Sequence, residues 1–264
     1  MPVLSNIDTV VALCSVLFGL VVGSFLNVCI ARIPHGASIV FPSSHCPRCG
    51  HSLSWYENLP VMSYIGLRGR CRSCNKKISI RYPLVELLTA LLFFGFSRAG
   101  FAPLEFLVYA AFGSALVVIT FIDLDHYIIP DVITLPSLLV APAVAFVVKQ
   151  VTVVESLVGI LTGGGILWFV AWLYERVRKQ EGMGLGDVKL LAMVGGFLGW
   201  QAAIFTLVTG SLFGSIIGLA LMVVRRKSLE MALPFGPFLA AGSLAYIFWG
   251  PRFIDWYLNL RTMI

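Results

Sequence analysis

Apolar stretches recur along this 264-residue chain at lengths that match the thickness of a bilayer. A helix needs about 20 predominantly apolar residues to cross the hydrocarbon core, so each stretch is a candidate span. Eight can be counted, and those at 83–98 and 188–200 are the shortest: 8–30, 83–98, 104–122, 132–149, 153–174, 188–200, 202–223 and 232–250. Only 12% of the residues are charged, too few to cover a surface that faces water. The sequence therefore predicts an all-α polytopic membrane protein of about eight transmembrane helices.

The first apolar stretch follows seven residues that include no Lys or Arg. A cleavable signal peptide would begin with positive charge and have a shorter core, so we expect a retained anchor. Gly19 and Gly23 in this stretch have GxxxG spacing, which predicts close packing against another helix. Close packing is also the prediction for the LTGGG run at 161–165, because it lies within a span and follows no predicted strand.

Basic residues are concentrated in alternate loops. Fifteen of the nineteen lie in one set of loops: Arg32, Arg48, Arg68, Arg70, Arg72, Lys76, Lys77, Arg81, Arg176, Arg178, Lys179, Lys189, Arg225, Arg226 and Lys227. The positive-inside rule makes this set cytoplasmic and directs both termini outward. The same loops predict contact with anionic membrane lipid. Nothing else in the sequence supports a nucleic-acid partner.

One polar segment, 33–82, interrupts the apolar pattern and divides the chain. We expect a first transmembrane helix over 1–32, a small cytoplasmic domain over 33–82 and a transmembrane bundle over 83–264. The polar segment contains four of the six cysteines in the spacing C-x2-C-x21-C-x2-C: Cys46, Cys49, Cys71 and Cys74. Two such pairs can direct four thiolates at one tetrahedral zinc ion, and a reducing compartment disfavours disulfides.

A zinc ion held by four cysteines has no open coordination position, so we expect a structural role in which the metal supplies folding free energy. The alternative is a pair of redox-active dithiols. His45 and His51 flank the first cysteine pair, and we expect neither to bind the ion.

Acidic residues gather at one edge of the predicted membrane region. The segment FIDLDHYIIPD at 121–131 contains Asp123, Asp125 and Asp131, and Asp187 follows Gly184 and Gly186 ahead of the sixth span. The charge distribution assigns all four aspartates to the cytoplasmic side. An acid at membrane depth is costly and is a functional candidate by default.

Two carboxylates that share one water can hydrolyse an amide, because their mutual repulsion keeps one proton on the pair near neutral pH. Glycines ahead of Asp187 would leave room for an extended peptide. Helical periodicity points Asp123 and Asp125 about 200° apart, so only one of them can face Asp187, and periodicity does not choose between them. The alternative for Asp131 is capping of the next helix.

The motifs together resemble those of the bacterial type IV prepilin peptidases, also called leader peptidases. The matching segments are GSFLNVCIARIP at 23–34, RGRCRSC at 68–74, RYPLVELLTA at 81–90, FIDLDHYIIPD at 121–131 and GMGLGDVKLLA at 182–192. The Gly-x-Gly-Asp pattern is similar to that of intramembrane aspartyl proteases. The resemblance implies that Asp123 and Asp187 form the catalytic pair, with Asp125, Gly184 and Gly186 in supporting roles.

The resemblance also implies substrates, a second activity and a location. The substrates would be prepilins and pseudopilins, cut after a short basic leader on the cytoplasmic side of the bacterial inner membrane. Members with the cysteine domain often methylate the new amino terminus with S-adenosylmethionine, and Gly69 would belong to that activity. No GxGxxG-type motif supports this cofactor independently. Two alternatives stay open: a peptidase with a purely structural cysteine domain, and a proton-coupled transporter.

Overall fold

The computed structural model describes residues 6–148, 151–179, 184–225 and 233–262. Nine α-helices form within these ranges, and no β-strand does: α1 (Asn6–Arg32), α2 (Met62–Gly66), α3 (Arg81–Arg98), α4 (Pro103–His126), α5 (Asp131–Val144), α6 (Val153–Arg178), α7 (Leu185–Leu198), α8 (Trp200–Arg225) and α9 (Gly236–Thr262). Two 3-10 turns, Ile33–His35 and Trp55–Asn58, complete the regular structure. The prediction of an all-helical protein is confirmed.

Each of the eight predicted spans overlaps one helix of at least 14 residues, and the five-residue α2 is additional. Four helices are long and apolar enough to cross a bilayer: α1, α4, α6 and α8. The total of eight spans therefore stays a prediction. Several parts of the sequence predictions lie outside the described residues: the span ends at 149 and 232, the extreme termini, Gly182, Arg226 and Lys227.

Three of these four helices present apolar side chains outward. Only 22% of the most apolar part of α1, 22% of that of α6 and 11% of that of α8 is buried within the protein. Large residues such as Leu17, Phe169 and Val223 are exposed on them. Surface of this kind is unfavourable in water and favourable in hydrocarbon. The chain is therefore an integral membrane protein.

The chain divides into two compact units, residues 1–118 and 119–264, with the boundary inside α4. This division differs from the predicted one at 32/33 and 82/83, which stays a prediction. We describe each unit separately. The first contains the cysteines, and the second contains the four aspartates of the acidic cluster.

Helices α1 and α3 pack closely in the first unit through the two glycines of the GxxxG motif. A Cβ added at Gly19 would lie 2.7 Å from the Ala90 Cα, and one added at Gly23 would lie 2.6 Å from the Glu86 Cα. The Asn27 side chain donates to the Tyr82 carbonyl at 3.1 Å. These contacts confirm the predicted close packing and fix the end of α1 beside the start of α3.

Helices α6 and α7 pack even more closely in the second unit. A Cβ added at Gly159 would overlap the carbonyl of Gly195, and one added at Gly163 would overlap the carbonyl of Leu191. The Ser156 hydroxyl donates to the Gly196 carbonyl at 2.7 Å across the same interface. Gly163 and Gly164 of the 161–165 run thus pack against α7, as predicted, whereas a Cβ at Gly165 would have no neighbour within 4 Å.

Candidate functional site

Asp123 lies in the last turn of α4, where an apolar helix ends at the polar segment that follows. Its side chain is buried, with only 5% of the residue exposed. The backbone N–H of Gly236, the first residue of α9, donates to the Asp123 Oδ2 at 2.9 Å. A Cβ on residue 236 would lie 2.7 Å from the same oxygen. Glycine is therefore required at 236 for α9 to begin against this carboxylate.

Asp187 lies in the first turn of α7 and is half-buried. The negative charge of Asp123 reaches its carboxyl group, so the two acids belong to one electrostatic site. The two acids also share a neighbour. The Ile129 side chain lies against both Gly186, which precedes Asp187, and Gly236, which hydrogen-bonds to Asp123. The Asp187 side chain has no hydrogen-bond partner among the described residues. The two acids that the Gly-x-Gly-Asp and Asp-x-Asp motifs single out thus converge.

The two glycines ahead of Asp187 differ in their surroundings. A Cβ on Gly186 would lie 3.0 Å from the Cβ of Ile129, which is a tight contact. Gly184 is the N-cap of α7, and a Cβ there would have nothing nearer than the Gly186 nitrogen at 3.9 Å. Close packing explains Gly186, whereas Gly184 borders open space.

Asp125 and Asp131 differ from the buried Asp123 in their exposure and their contacts. Asp125 is exposed, while Asp123 is buried, as expected for residues two apart on a helix. Asp131 begins α5, and the N-cap of that helix is Pro130, with no side-chain cap hydrogen bond. Its carboxylate instead accepts from the Lys189 ammonium group at 2.7 and 2.9 Å. The capping role is therefore wrong for Asp131, which joins the first turns of α5 and α7.

Two residues of this region are absent from the sequence predictions: Gly236 and Lys189 as an ion-pair partner. Gly236 lies 113 residues from Asp123, and no short-range pattern connects the two. The segment LPFGP at 233–237 signals only the start of a helix, since proline is favoured in the first turn. The charge pattern places Lys189 in a basic loop, whereas α7 includes it in its first turns.

The four cysteines of the first unit converge, as their spacing predicts. All four Sγ atoms lie within 4.8 Å of one another, and two pairs, Cys46 with Cys74 and Cys49 with Cys71, lie at 4.0 Å. Four sulfurs about 2.3 Å from a tetrahedral zinc ion would be separated by about 3.8 Å. The donor set and its size are therefore compatible with zinc.

The two cysteine pairs are built in the same way. The Gly50 and Asn75 N–H groups donate back to the carbonyls of Cys46 and Cys71, each at 2.9 Å. Both residues adopt positive φ, +70° and +55°, which glycine and asparagine tolerate best. The residue that follows each second cysteine thus closes a tight turn and directs both sulfurs of its pair to one side.

Hydrogen bonds within the first pair favour a thiolate. The backbone N–H groups of Arg48 and Cys49 donate to the Cys46 sulfur and lower the pKa of this thiol to about 6. A thiolate is the form that binds metal. His51 contacts the Glu57 carboxylate at 3.2 Å rather than the cysteine cluster.

Gly69 lies close to the second cysteine pair, buried and at positive φ (+66°). A Cβ there would lie 3.0 Å from the ring and hydroxyl of Tyr64. Gly69 is therefore constrained by both its backbone conformation and its neighbour.

Comparison with known proteins identifies related sequences along most of the chain. The bacterial peptidase A24 N-terminal domain matches residues 17–98, and the type IV leader peptidase family matches residues 110–219. Several relatives carry the name prepilin leader peptidase/N-methyltransferase. That of Aeromonas salmonicida strain A449 is 37% identical, over 92% of each chain. That of Pseudomonas putida is 38% identical, over 88% of each chain. That of Pseudomonas aeruginosa is 37% identical, over 94% of this chain and 93% of the relative.

No solved structure matches the chain. The two domain matches leave only residues 99–109 between them and together include both aspartates and all four cysteines of the cluster. With relatives matched over nearly their full length, the chain belongs to the type IV leader peptidase family.

Proposed function

We propose that this protein cleaves the short basic leader of type IV prepilins and related pseudopilins with Asp123 and Asp187, and N-methylates the new amino terminus. The convergence of these two acids at the ends of α4 and α7 carries the proposal. The names of the relatives supply the substrate class and the second activity.

Peptide hydrolysis follows from two carboxylates that share one proton. The ionised acid takes a proton from water as the water oxygen bonds to the scissile carbonyl carbon. The protonated acid donates a hydrogen bond to the carbonyl oxygen and stabilises its developing charge. The carbon–nitrogen bond then breaks, and the leaving amine takes up a proton from the pair. Both acids must lie within reach of one water, as their convergence supports.

The environment of each acid favours one assignment of these roles. The Gly236 N–H, at the positive end of the α9 dipole, donates to the carboxylate of Asp123 and stabilises negative charge there. Asp187 has no such donor among the described residues. We assign Asp123 as the base and Asp187 as the acid. The open space at Gly184 would accept an extended segment of substrate beside Asp187.

The charge pattern supports cleavage at the cytoplasmic face of the bacterial inner membrane. Basic loops would lie on this side with the aspartates and the cysteine domain, where they would contact anionic lipid. A basic leader approaching the two acids would be attracted electrostatically. The apolar stem of the substrate would lie in the bilayer beside the helices.

Zinc would be held by Cys46, Cys49, Cys71 and Cys74 and would stabilise the fold of residues 33–82. S-adenosylmethionine, when bound, supplies a methyl group from a positively charged sulfur. The chain's own task is to hold this donor beside a free amino terminus and to exclude water. An alternative is a peptidase without methyltransferase activity, in which the cysteine domain is only structural.

Mass spectrometry of a prepilin co-expressed with this protein tests both activities. We expect a mature pilin cut directly after the leader, with its amino terminus 14 Da heavier than the unmodified peptide (about one CH2). Cleavage without the added mass would favour the peptidase-only alternative. An intact prepilin, with the enzyme present in the membrane, would contradict the proposal.

A further inference from the structure

The first unit contains a cavity of about 660 Å³ between the end of α1, the start of α3 and the cysteine-containing segment. This volume lies within the roughly 300–1,000 Å³ range of small-molecule sites. Residues from all three parts line it, and those used below are Arg48, Glu57, Tyr64, Lys76, Lys77 and Glu86. Two residues of the metal cluster, Cys46 and Cys71, also line it. The cavity is therefore large enough for a nucleoside-sized ligand.

Two buried carboxylates line this cavity. Glu57 is 6% exposed and Glu86 is 7% exposed. Glu57 Oε2 accepts from the Ser54 N–H at 2.9 Å and contacts the His51 Nε2 at 3.2 Å. Glu86 Oε2 accepts from the Val61 N–H at 2.7 Å. These bonds fix both side chains and leave Oε1 of Glu57 without a partner among the described residues, so the cavity presents negative charge to a ligand.

The same cavity also presents positive charge and an aromatic surface. Arg48, Lys76 and Lys77 line it and are exposed, with no carboxylate partner in the described part of the chain. The half-buried ring of Tyr64 forms another part of the wall. A matching ligand carries a cationic centre for the carboxylates, an anionic group for the basic residues and a flat ring for the tyrosine.

We infer that this cavity is the binding site of S-adenosylmethionine. That molecule combines a sulfonium cation, a carboxylate and an adenine ring, and so matches all three features. The inference rests on the proposed methyltransferase activity and adds the location of the methyl donor. Glu57 and Glu86 face the cationic part, and the basic residues face the carboxylate.

Gly69 acts on this cavity through Tyr64. It does not line the cavity, but a Cβ at 69 would press on the Tyr64 ring at 3.0 Å. Gly69→Ala would therefore shift a wall residue without removing any group that touches the ligand. Gly69 is a positioning residue, and its substitution weakens binding of the donor rather than contact with the peptide substrate.

Photocrosslinking with radiolabelled S-adenosylmethionine tests the site on the unaltered full-length protein in lipid nanodiscs. After irradiation, protease digestion and mass spectrometry locate the labelled residues. We expect labels between residues 24 and 86, and an excess of unlabelled S-adenosylhomocysteine should remove them. Labels within 119–264 would overturn the inference.

Equilibrium dialysis with the same probe tests individual residues. Glu57→Gln and Gly69→Ala should each raise the Kd at least tenfold. Glu175→Gln, which changes an exposed acid in the second unit, should leave it unaltered. An unchanged Kd in both Glu57→Gln and Gly69→Ala would overturn the inference.

The outcomes separate this inference from the proposed function. Methylated pilin together with labels outside the first unit would overturn the location alone. Cleaved but unmethylated pilin, with no binding of the probe, would overturn both the location and the methyltransferase activity and leave the peptidase proposal standing.

Discussion

Among the described residues, the backbone N–H of Gly236 is the one donor to the carboxylate of Asp123, and this contact constrains residue 236. Any side chain at 236 would lie within 2.7 Å of the Asp123 Oδ2. The start of α9 and the acid would then have to separate. Catalytic groups tolerate little displacement, because misplacement by about 1 Å can lower a rate about 100-fold.

Gly236→Ala should therefore lower the rate of prepilin cleavage about 100-fold, by displacing Asp123. Gly165→Ala is a matched control, since a Cβ there has no neighbour within 4 Å. Single-turnover cleavage of a purified prepilin measures both. Wild-type rates in Gly236→Ala would show that the contact between Gly236 and Asp123 is unimportant for catalysis.

The ion pair between Asp131 and Lys189 should make a small contribution to stability. The two side chains are 55% and 30% exposed, so solvent screens the attraction. A double-mutant cycle with Asp131→Asn and Lys189→Met should give a coupling free energy of about 0.2–1 kcal/mol from denaturant unfolding. A coupling energy near zero would mean that the pair does not join α5 to α7 in solution.

Residue identities in the acidic cluster were predictable only in part from the sequence. The motifs single out Asp123 and Asp187, and periodicity alone separates Asp123 from Asp125 without choosing between them. The structure makes Asp123 the buried residue and Asp125 the exposed one. The Gly236 contact could not be predicted, because it depends on how α4 and α9 pack across 113 residues of sequence.

At the scale of helices, the apolar runs predicted which segments are helical but not where the helices end. Helix α6 continues four residues beyond the predicted 174, because its polar last turn still forms backbone hydrogen bonds. Helix α9 begins at Gly236 rather than 232, with Pro237 in its first turn. Hydropathy reports where a helix is apolar, whereas capping and packing decide its ends.

The glycine interface between α6 and α7 should determine the stability of the second unit. Gly163→Ala would introduce a methyl group against the Leu191 carbonyl, and overpacking of this kind costs about 1–3 kcal/mol. Gly165→Ala, two residues away on the same helix, should stabilise slightly, since alanine favours helices by about 1 kcal/mol over glycine. Thermal unfolding in detergent measures both. Equal stability of the two variants would contradict the close packing.

At the scale of the whole molecule, the cysteine domain should depend on metal and on pH. The pKa of Cys46 is lowered from 9.0 to about 6 by backbone N–H donors, chiefly that of Arg48. The stability that these bonds supply is complete above pH 9, declines as the pH falls and is lost below about 6. We expect zinc to be retained at pH 7.5 and released in acid, where protons compete with the metal for the four thiolates.

A zinc-sensitive dye and elemental analysis measure this release. One zinc per chain at pH 7.5 is the expected content, and Cys71→Ser should abolish it. Removal of zinc by a chelator should make residues 33–82 sensitive to protease while α6 and α7 stay protected. Purified protein without zinc, or a cysteine domain that resists protease after chelation, would contradict a metal-dependent fold.

The division of the molecule into two compact units was not predictable from the motifs. The sequence suggests a boundary wherever polarity changes, at 32/33 and 82/83. The observed boundary lies inside an apolar helix, α4, whose first half contacts α3 through Phe106 and Tyr109 and whose last turn contacts Gly236. The cavity in the first unit could not be predicted from the sequence either, because residues of α1, α3 and the segment between them line it.

The central claim is that Asp123 and Asp187 together hydrolyse the peptide bond. The most direct test is the single-turnover rate of prepilin cleavage by Asp123→Asn, Asp187→Asn and Asp125→Asn, each inserted at wild-type level. The first two should fall at least about 1,000-fold, as expected when a general acid or base is removed, whereas Asp125→Asn should stay within about tenfold of wild type. Cleavage at the wild-type rate by either of the first two variants would contradict the account.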